Sequence, residues 1–399
     1  MGGVLSKKKR NTAPPVDQAP RGGDAMATSY AVSAEQAAQY AALNGKKRAL
    51  LCGCNYTGTP AELKGCVNDV LNWYSLLESS FGFPTEEITV LIDEDVEGKN
   101  YDKSTGKNIK QHLTRLVEVS KPGDMVFFQF SGHGVQVPAD DDDDDYEPDG
   151  LDEALCPTDM NLIVDDDLRD ILSGLVDGVK FTMVSDCCHS GGMLDHKEVI
   201  IDGEADDDVK TFSDPHKARE IFLSDLNVDT EKKDDISFKN RAIDVSTMEA
   251  VLRDMAKEQD GSEKIDVAAQ RMRGTLFALY GNDASNAATH KINHVGQYAG
   301  AGKKPESGLI RPDKGILITG CQAHETSADV TGKDGRAFGA LSHTVTKIVR
   351  RHREKYPDKP ITCRQLVLKV RKLLNNSGFE QNPCLECSDS NADANFIVW

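Results

Sequence analysis

The sequence lacks any apolar stretch approaching the length of a membrane span, and it carries no signal-peptide pattern. Neither a bilayer-spanning chain nor a cleaved secretory leader is expected. Positive balance is lacking too. The 47 Lys and Arg against 65 Asp and Glu leave a formal charge of −18, which argues against a nucleic-acid partner and suits cationic ones. The ten cysteines are scattered, two of them adjacent, which does not match the spaced framework of a secreted disulfide scaffold. Cys384-x-x-Cys387 has no second Cys or His pair nearby, which argues against zinc. There is no internal repeat. At 399 residues the chain can bury a real core, as one large domain or two modest ones.

What is present centres on residues 179–192, Val-Lys-Phe-Thr-Met-Val-Ser-Asp-Cys-Cys-His-Ser-Gly-Gly. The apolar run predicts a buried strand, and the glycine pair ends it. Residues 124–130 predict a second buried strand, which leads into Ser131-Gly-His133-Gly134. A histidine and a cysteine therefore each stand at a strand's carboxyl end, where open α/β sheets keep their chemistry. If the two strands are parallel neighbours, imidazole and thiol face one crevice. Either residue alone is more commonly a core group, and the matched strand ends argue against that here. Cys187 and Cys188 compete as nucleophile, and the spacing from Asp186 and to His189-Ser-Gly favours Cys188. Such a thiol is reactive as thiolate, and His133 can take its proton and later protonate a leaving amine. The backbone N–H groups of Gly134 and Cys188 are the expected oxyanion donors, with glycine permitting close approach. No third member of a triad is evident.

The rest of the chain alternates strand and helix. Strands are expected at residues 47–56, 88–92 and 314–321, and helices at 66–77, 108–119, 338–351 and 362–374. Alternation of this kind predicts an α/β fold with a mostly parallel sheet covered by helices on both faces. An apolar strand at 394–399 closes the pattern. Residues 196–310 are rich in charge runs and read as an exposed insert, with helical periodicity at 245–257. Residues 11–45 read as a flexible tether with a short helix at 33–43. Six aspartates, Asp140 to Asp145, form a solvated loop on the plain reading. Further carboxylates follow, and so many near one site call for a cation. Hard oxygens without His or Cys suit Ca2+.

At the amino terminus Gly2 and Ser6 fit an N-myristoylation pattern, and Lys7 to Arg10 follow as a basic patch. One acyl chain plus a polybasic segment suffices for peripheral membrane association of a cytoplasmic protein. A plain basic leader or a nuclear-import patch are the competing readings.

Ser-Gly-His-Gly at 131–134, Asp-Cys-Cys-His-Ser-Gly-Gly at 186–192 and Met-Asn-Leu-Ile-Val-Asp-Asp-Asp-Leu-Arg at 160–169 resemble a metacaspase. The segment order and long insert resemble the type II group, and the match runs from about Lys46 to Trp399. Cys187 stands where the family usually has Ser. The resemblance implies a caspase-like fold: a leader at 1–45, a large-subunit-like catalytic region at 46–195, an autoinhibitory linker at 196–310, and a small-subunit-like region at 311–399. It implies a Ca2+-activated cysteine endopeptidase, a monomer acting on protein and peptide substrates. By motif position, Asp152, Asp165, Asp166 and Asp195 match the family's calcium carboxylates. Asp69, Cys66 and Ser131 match positions of the primary specificity pocket, beside Asp186. A carboxylate at a pocket's base selects Arg or Lys before the scissile bond. Self-cleavage in the linker is expected at Arg253, with Arg241, Lys232 and Lys257 as rivals. The alternative function is a catalytically silent, calcium-responsive scaffold.

Overall fold

The computed structural model describes residues 45–138, 151–189, 193–194, 199, 201, 207–226, 236–260, 276, 279–284, 315–322 and 325–397. Gly2, the leader with its expected helix, the aspartate run, Asp195, Lys232 and most of the expected insert lie outside them.

Apolar runs make the central sheet. Strands β1 (Lys47–Gly53), β2 (Ile88–Ile92) and β3 (Met125–Ser131) alternate with helices α1 (Cys66–Phe81) and α2 (Gly106–Val119). Thr105 starts α2 by accepting from the Asn108 N–H, and Gly82 ends α1 at a φ of 64°, where a side chain would be strained. Next come β4 (His133–Pro138), β5 (Leu151–Cys156), β6 (Ile163–Val164), α3 (Asp165–Ser173) and β7 (Lys180–Asp186). The expected insert contributes α4 (Asp207–Phe212), α5 (Pro215–Leu223), β8 (Ile236–Asn240) and α6 (Val245–Asp260). The chain finishes with β9 (Gly315–Thr319), β10 (Ala328–Gly332), β11 (Ala337–Gly339), α7 (Ala340–Lys355), α8 (Cys363–Ser377), β12 (Leu385–Glu386) and α9 (Asp389–Ala392).

The six-stranded sheet runs β12-β9-β7-β3-β1-β2, parallel except for β12, so the α/β fold with a mostly parallel sheet stands. One difference lies at its edge. Among the described residues the last strand is Leu385–Glu386. Described residues 394–397 form no strand, and there Phe396 packs against Trp73 and Phe81 instead. Two small antiparallel sheets, β4-β5-β6 and β11-β10-β8, sit beside the main one.

Both faces of the sheet are buried. Ile109 and Leu113 of α2, Leu168 of α3, and Met248 and Leu252 of α6 belong to one apolar cluster. Trp73 of α1, Val345 of α7, Leu366 of α8 and Phe212 and Phe222 of α4 and α5 belong to the other. The expected insert is thus no loose appendage in its described parts. Its helices carry core residues, because apolar side chains at helical spacing find the sheet's faces whatever charge runs lie between them.

Candidate active site

Strands β3 and β7 pair in parallel with Ser131 opposite Asp186, so the chain leaves both at the same level. His133 and Cys188 each stand two residues beyond that pair, at adjoining strand tips. A Cβ built on Gly134 would run into the Cys188 carbonyl oxygen. Glycine there is a steric requirement.

His133 is held at its ring and at its backbone N–H. Its Nε2 lies 2.7 Å from the Ala61 carbonyl oxygen, and a carbonyl can only accept, so Nε2 carries the proton. Nδ1, buried and without a hydrogen-bond partner among the described residues, keeps its lone pair. The backbone N–H of His133 donates to the Tyr56 hydroxyl at 2.8 Å, which in turn donates to the Cys156 carbonyl. Burial pushes the imidazole down to about 4, so at neutral pH it is an uncharged base. The third member that the residue types do not reveal is a backbone carbonyl, that of Ala61, which has no side-chain signature.

The Cys188 thiol is fully buried. Its Sγ accepts from the Ser327 N–H at 2.9 Å and donates to Asn240 Oδ1 at 3.0 Å. Cys187 is buried as well, with its Sγ 3.2 Å from Ser185 Oγ. Cys188, through Asn240, meets the strand-like segment that lies across the site.

That segment is the end of β8. Arg241, fully buried, reaches Asp69 Oδ2 at 2.8 Å, Asp329 Oδ1 at 2.9 Å and the Asp186 carbonyl at 2.9 Å, with Asp186 Oδ1 at 3.4 Å. The carboxylates are themselves anchored. Asp69 accepts from Gly339 N, Asp186 from Ser342 N and Ser327 Oγ, and Asp329 from the N–H groups of Lys64 and Gly65. Burial pushes the Asp69 carboxyl up, to about 7, and the Arg241 guanidinium opposes it. Buried Cys66 opens α1 beside this pocket, close enough to feel the guanidinium's charge. Buried Ser131 accepts from Gln129 and lies 3.5 Å from Ser342 Oγ. The Arg241 carbonyl accepts from Gly134 N at 3.0 Å, and β8 pairs antiparallel with β10. A basic side chain therefore fills an acidic pocket while its carbonyl rests on the Gly134 N–H at the histidine's strand tip.

Residues 47–197 match the family model described as metacaspase, peptidase C14 domain. Metacaspase-6 of Arabidopsis thaliana is 37% identical over 391 residues, covering 88% of this chain and 99% of that protein. Metacaspase-4 of the same plant is 33% identical over 436 residues, with 88% and 99% covered. The chain belongs to the metacaspase family. Metacaspase-1A of Aspergillus oryzae is similar over a shorter span, 41% identical over 165 residues that cover 40% of this chain and 38% of that one. Among solved structures, a protein from Geobacter sulfurreducens covers 88% of this chain and 99% of its own, with a TM-score of 0.49 at 19% identity.

Membership makes this metacaspase a caspase-like cysteine peptidase. The expected self-cleavage residue and three of the four expected calcium carboxylates lie among the described residues. Arg253 is exposed on α6, whereas Arg241, one of its rivals, occupies the acidic pocket. Of the expected calcium carboxylates, Asp165 and Asp166 open α3, and Asp152 lies on β5, just past the Ala154–Val164 pair that joins β5 to β6. Asp166 meets Arg169, and among the described residues no three His, Cys, Asp or Glu are gathered to hold a metal. Asp195 is outside the described residues. The donor chemistry nonetheless fits a hard divalent cation. Asp329, Asn240, Tyr56 and the Ala61 carbonyl are parts of the site that sequence reasoning missed. Each gains its meaning only from a contact distant in the chain.

Proposed function

We propose that this metacaspase is a Ca2+-activated endopeptidase that cuts after Arg or Lys, made as a zymogen whose own linker occupies the cleft. The observation that carries this reading is the Arg241 guanidinium among Asp69, Asp186 and Asp329, with its carbonyl on Gly134 N–H. Arg241–Ala242 replaces the bond after Arg253 as the self-cleavage site. Lysine would reach the same carboxylates as a point charge, without the fork geometry.

Catalysis follows from the tautomer. Cys188 passes its proton to His133 Nδ1, and the thiolate attacks the carbonyl carbon of the residue in the pocket. The C=O electrons move to oxygen, held by the N–H groups of Gly134 and Cys188. Collapse expels the amine, which takes the proton from the imidazolium, and water then hydrolyses the thioester. In the closed form the thiol donates to Asn240 instead, which fits a latent enzyme.

Asp152, Asp165 and Asp166, with Asp195, would hold Ca2+, which would supply the positive charge that lets these acidic loops approach one another. Acylation at Gly2 with the basic residues 7–10 would tether the enzyme to membranes as a cytoplasmic monomer. A Gly2→Ala change should then release it from membrane fractions, and unchanged partitioning refutes the tether.

Fluorogenic peptides ending in Arg, Lys or Asp, with and without Ca2+, test the reading. Arg and Lys peptides should turn over only with Ca2+, and Cys188→Ala should lower the rate by roughly 1,000-fold or more. Faster cleavage after Asp, or an active Cys188→Ala protein, refutes it.

A further inference from the structure

Strand β8 lies in the cleft as a stretch of peptide, so its other side chains report on further subsites. Side chains alternate along a strand. Arg241 enters the acidic pocket, and Lys239, on the same side, reaches the Glu62 carbonyl. Asn240 turns to the other side and meets Cys188. Phe238 shares that second side, three positions before Arg241, and is 57% exposed, unusual for a large apolar side chain on a paired strand.

What Phe238 touches is specific. Its ring stands edge-on to Phe379, centroids 5.4 Å apart at 87°. Phe379 is fixed in its turn. Gly378 caps α8 in the left-handed region at a φ of 97°, and the Phe379 N–H bonds back to the Leu374 carbonyl. Its ring packs on fully buried Phe222 of α5 at 4.7 Å, and Phe222 packs edge-on to Phe338 at 5.6 Å. An aromatic face, rigid from below and open above, thus faces one position of whatever strand pairs with β10.

We propose that Phe379, backed by Phe222, is a specificity subsite for an aromatic side chain three residues before the cleaved Arg or Lys. This rests on Arg241 marking the residue before the scissile bond. Edge-to-face pairing and burial of the ring add to binding whether substrate or linker supplies it. The protein substrates implied are unfolded or extended segments reading aromatic-x-x-Arg or aromatic-x-x-Lys, presented as a strand to β10.

The test uses the Ca2+-activated full chain with Phe-Lys-Asn-Arg, Ala-Lys-Asn-Arg and Asp-Lys-Asn-Arg fluorogenic peptides. Wild type should prefer Phe to Ala by about 5- to 20-fold in kcat/KM, mainly through KM. In Phe379→Ala that ratio should fall to within about twofold. Phe379→Leu, which keeps an apolar plug over Phe222, should give an intermediate ratio and guards against a misfolded alanine variant. Equal cleavage of Phe and Ala peptides by wild type, or a ratio that survives both substitutions, overturns the subsite while leaving the Arg reading intact. If no Arg peptide is cleaved, the Arg reading falls and the subsite with it.

Discussion

At the scale of single residues, the site depends on groups that hold His133 as much as on His133 itself. The Tyr56 hydroxyl accepts from the His133 N–H and donates to the Cys156 carbonyl. Tyr56→Phe leaves both buried backbone groups without that partner, and should destabilise the protein by about 1 to 3 kcal/mol. Turnover should fall with it, more in kcat than in KM, because the ring is displaced from its working position; steady-state kinetics with chemical denaturation checks this. Protonation gives a second handle. Burial pushes both His133 and His343 down to about 4, so the folded protein holds them neutral while the unfolded chain protonates them near 6.5. Their contribution is therefore full above about 6.5 and is lost as pH falls toward about 4. His343 stacks on Phe338 and bonds the Phe222 carbonyl, away from the dyad. A His343→Gln variant should show a shallower fall of unfolding free energy between pH 7 and pH 4.5, by roughly 1 to 3 kcal/mol. An unchanged slope would contradict the neutral assignment.

At the scale of elements, the legible parts were those whose pattern is local. β1, β3, β7 and β9 are short runs with an apolar centre, and α2 and α8 show an apolar face with caps that the sequence displays, so each reads directly. β4 to β6 and β8 do not. β6 has only two residues, and β8 is Ile-Ser-Phe-Lys-Asn, with every residue after Ile236 exposed. Pairing with β10, not propensity, makes it a strand. Helices α4 and α5 show the same dependence on distant partners. Buried Asp208 meets the buried Lys369 ammonium at 3.1 Å, with Arg351 at 3.3 Å and Lys355 at 3.5 Å, which ties α4 to α7 and α8. Removing Lys369 takes away the buried partner and leaves Asp208 to the more exposed Arg351 and Lys355. Lys369→Met should cost about 1 to 3 kcal/mol in thermal or denaturant unfolding, and Asp208→Asn combined with it should restore part of the loss. The same tie predicts that α4 and α5 stay docked after the linker is cut.

At the scale of the whole molecule, the dyad was legible and the state of the enzyme was not. His133 and Cys188 could be matched because each follows its own apolar strand into glycine, a pattern visible along the chain. The occupant of the cleft could not. Arg241 stands in a sequence neighbourhood as charged as that of Arg253, and nothing local says that one is buried and the other exposed. Its burial comes from Asp69, Asp186 and Asp329, carried by α1, β7 and β10 and brought together by the sheet and its flanking hairpin. The fold thus brings Asp69 of α1, Asp186 of β7, Asp329 of β10 and Arg241 into one substrate-like arrangement. Sequencing the amino terminus of the carboxyl-terminal fragment released on adding Ca2+ tests this most directly. The account predicts a fragment that begins at Ala242, and one that does not form in Arg241→Ala. A fragment beginning at Asp254, or unchanged processing of Arg241→Ala, would contradict it.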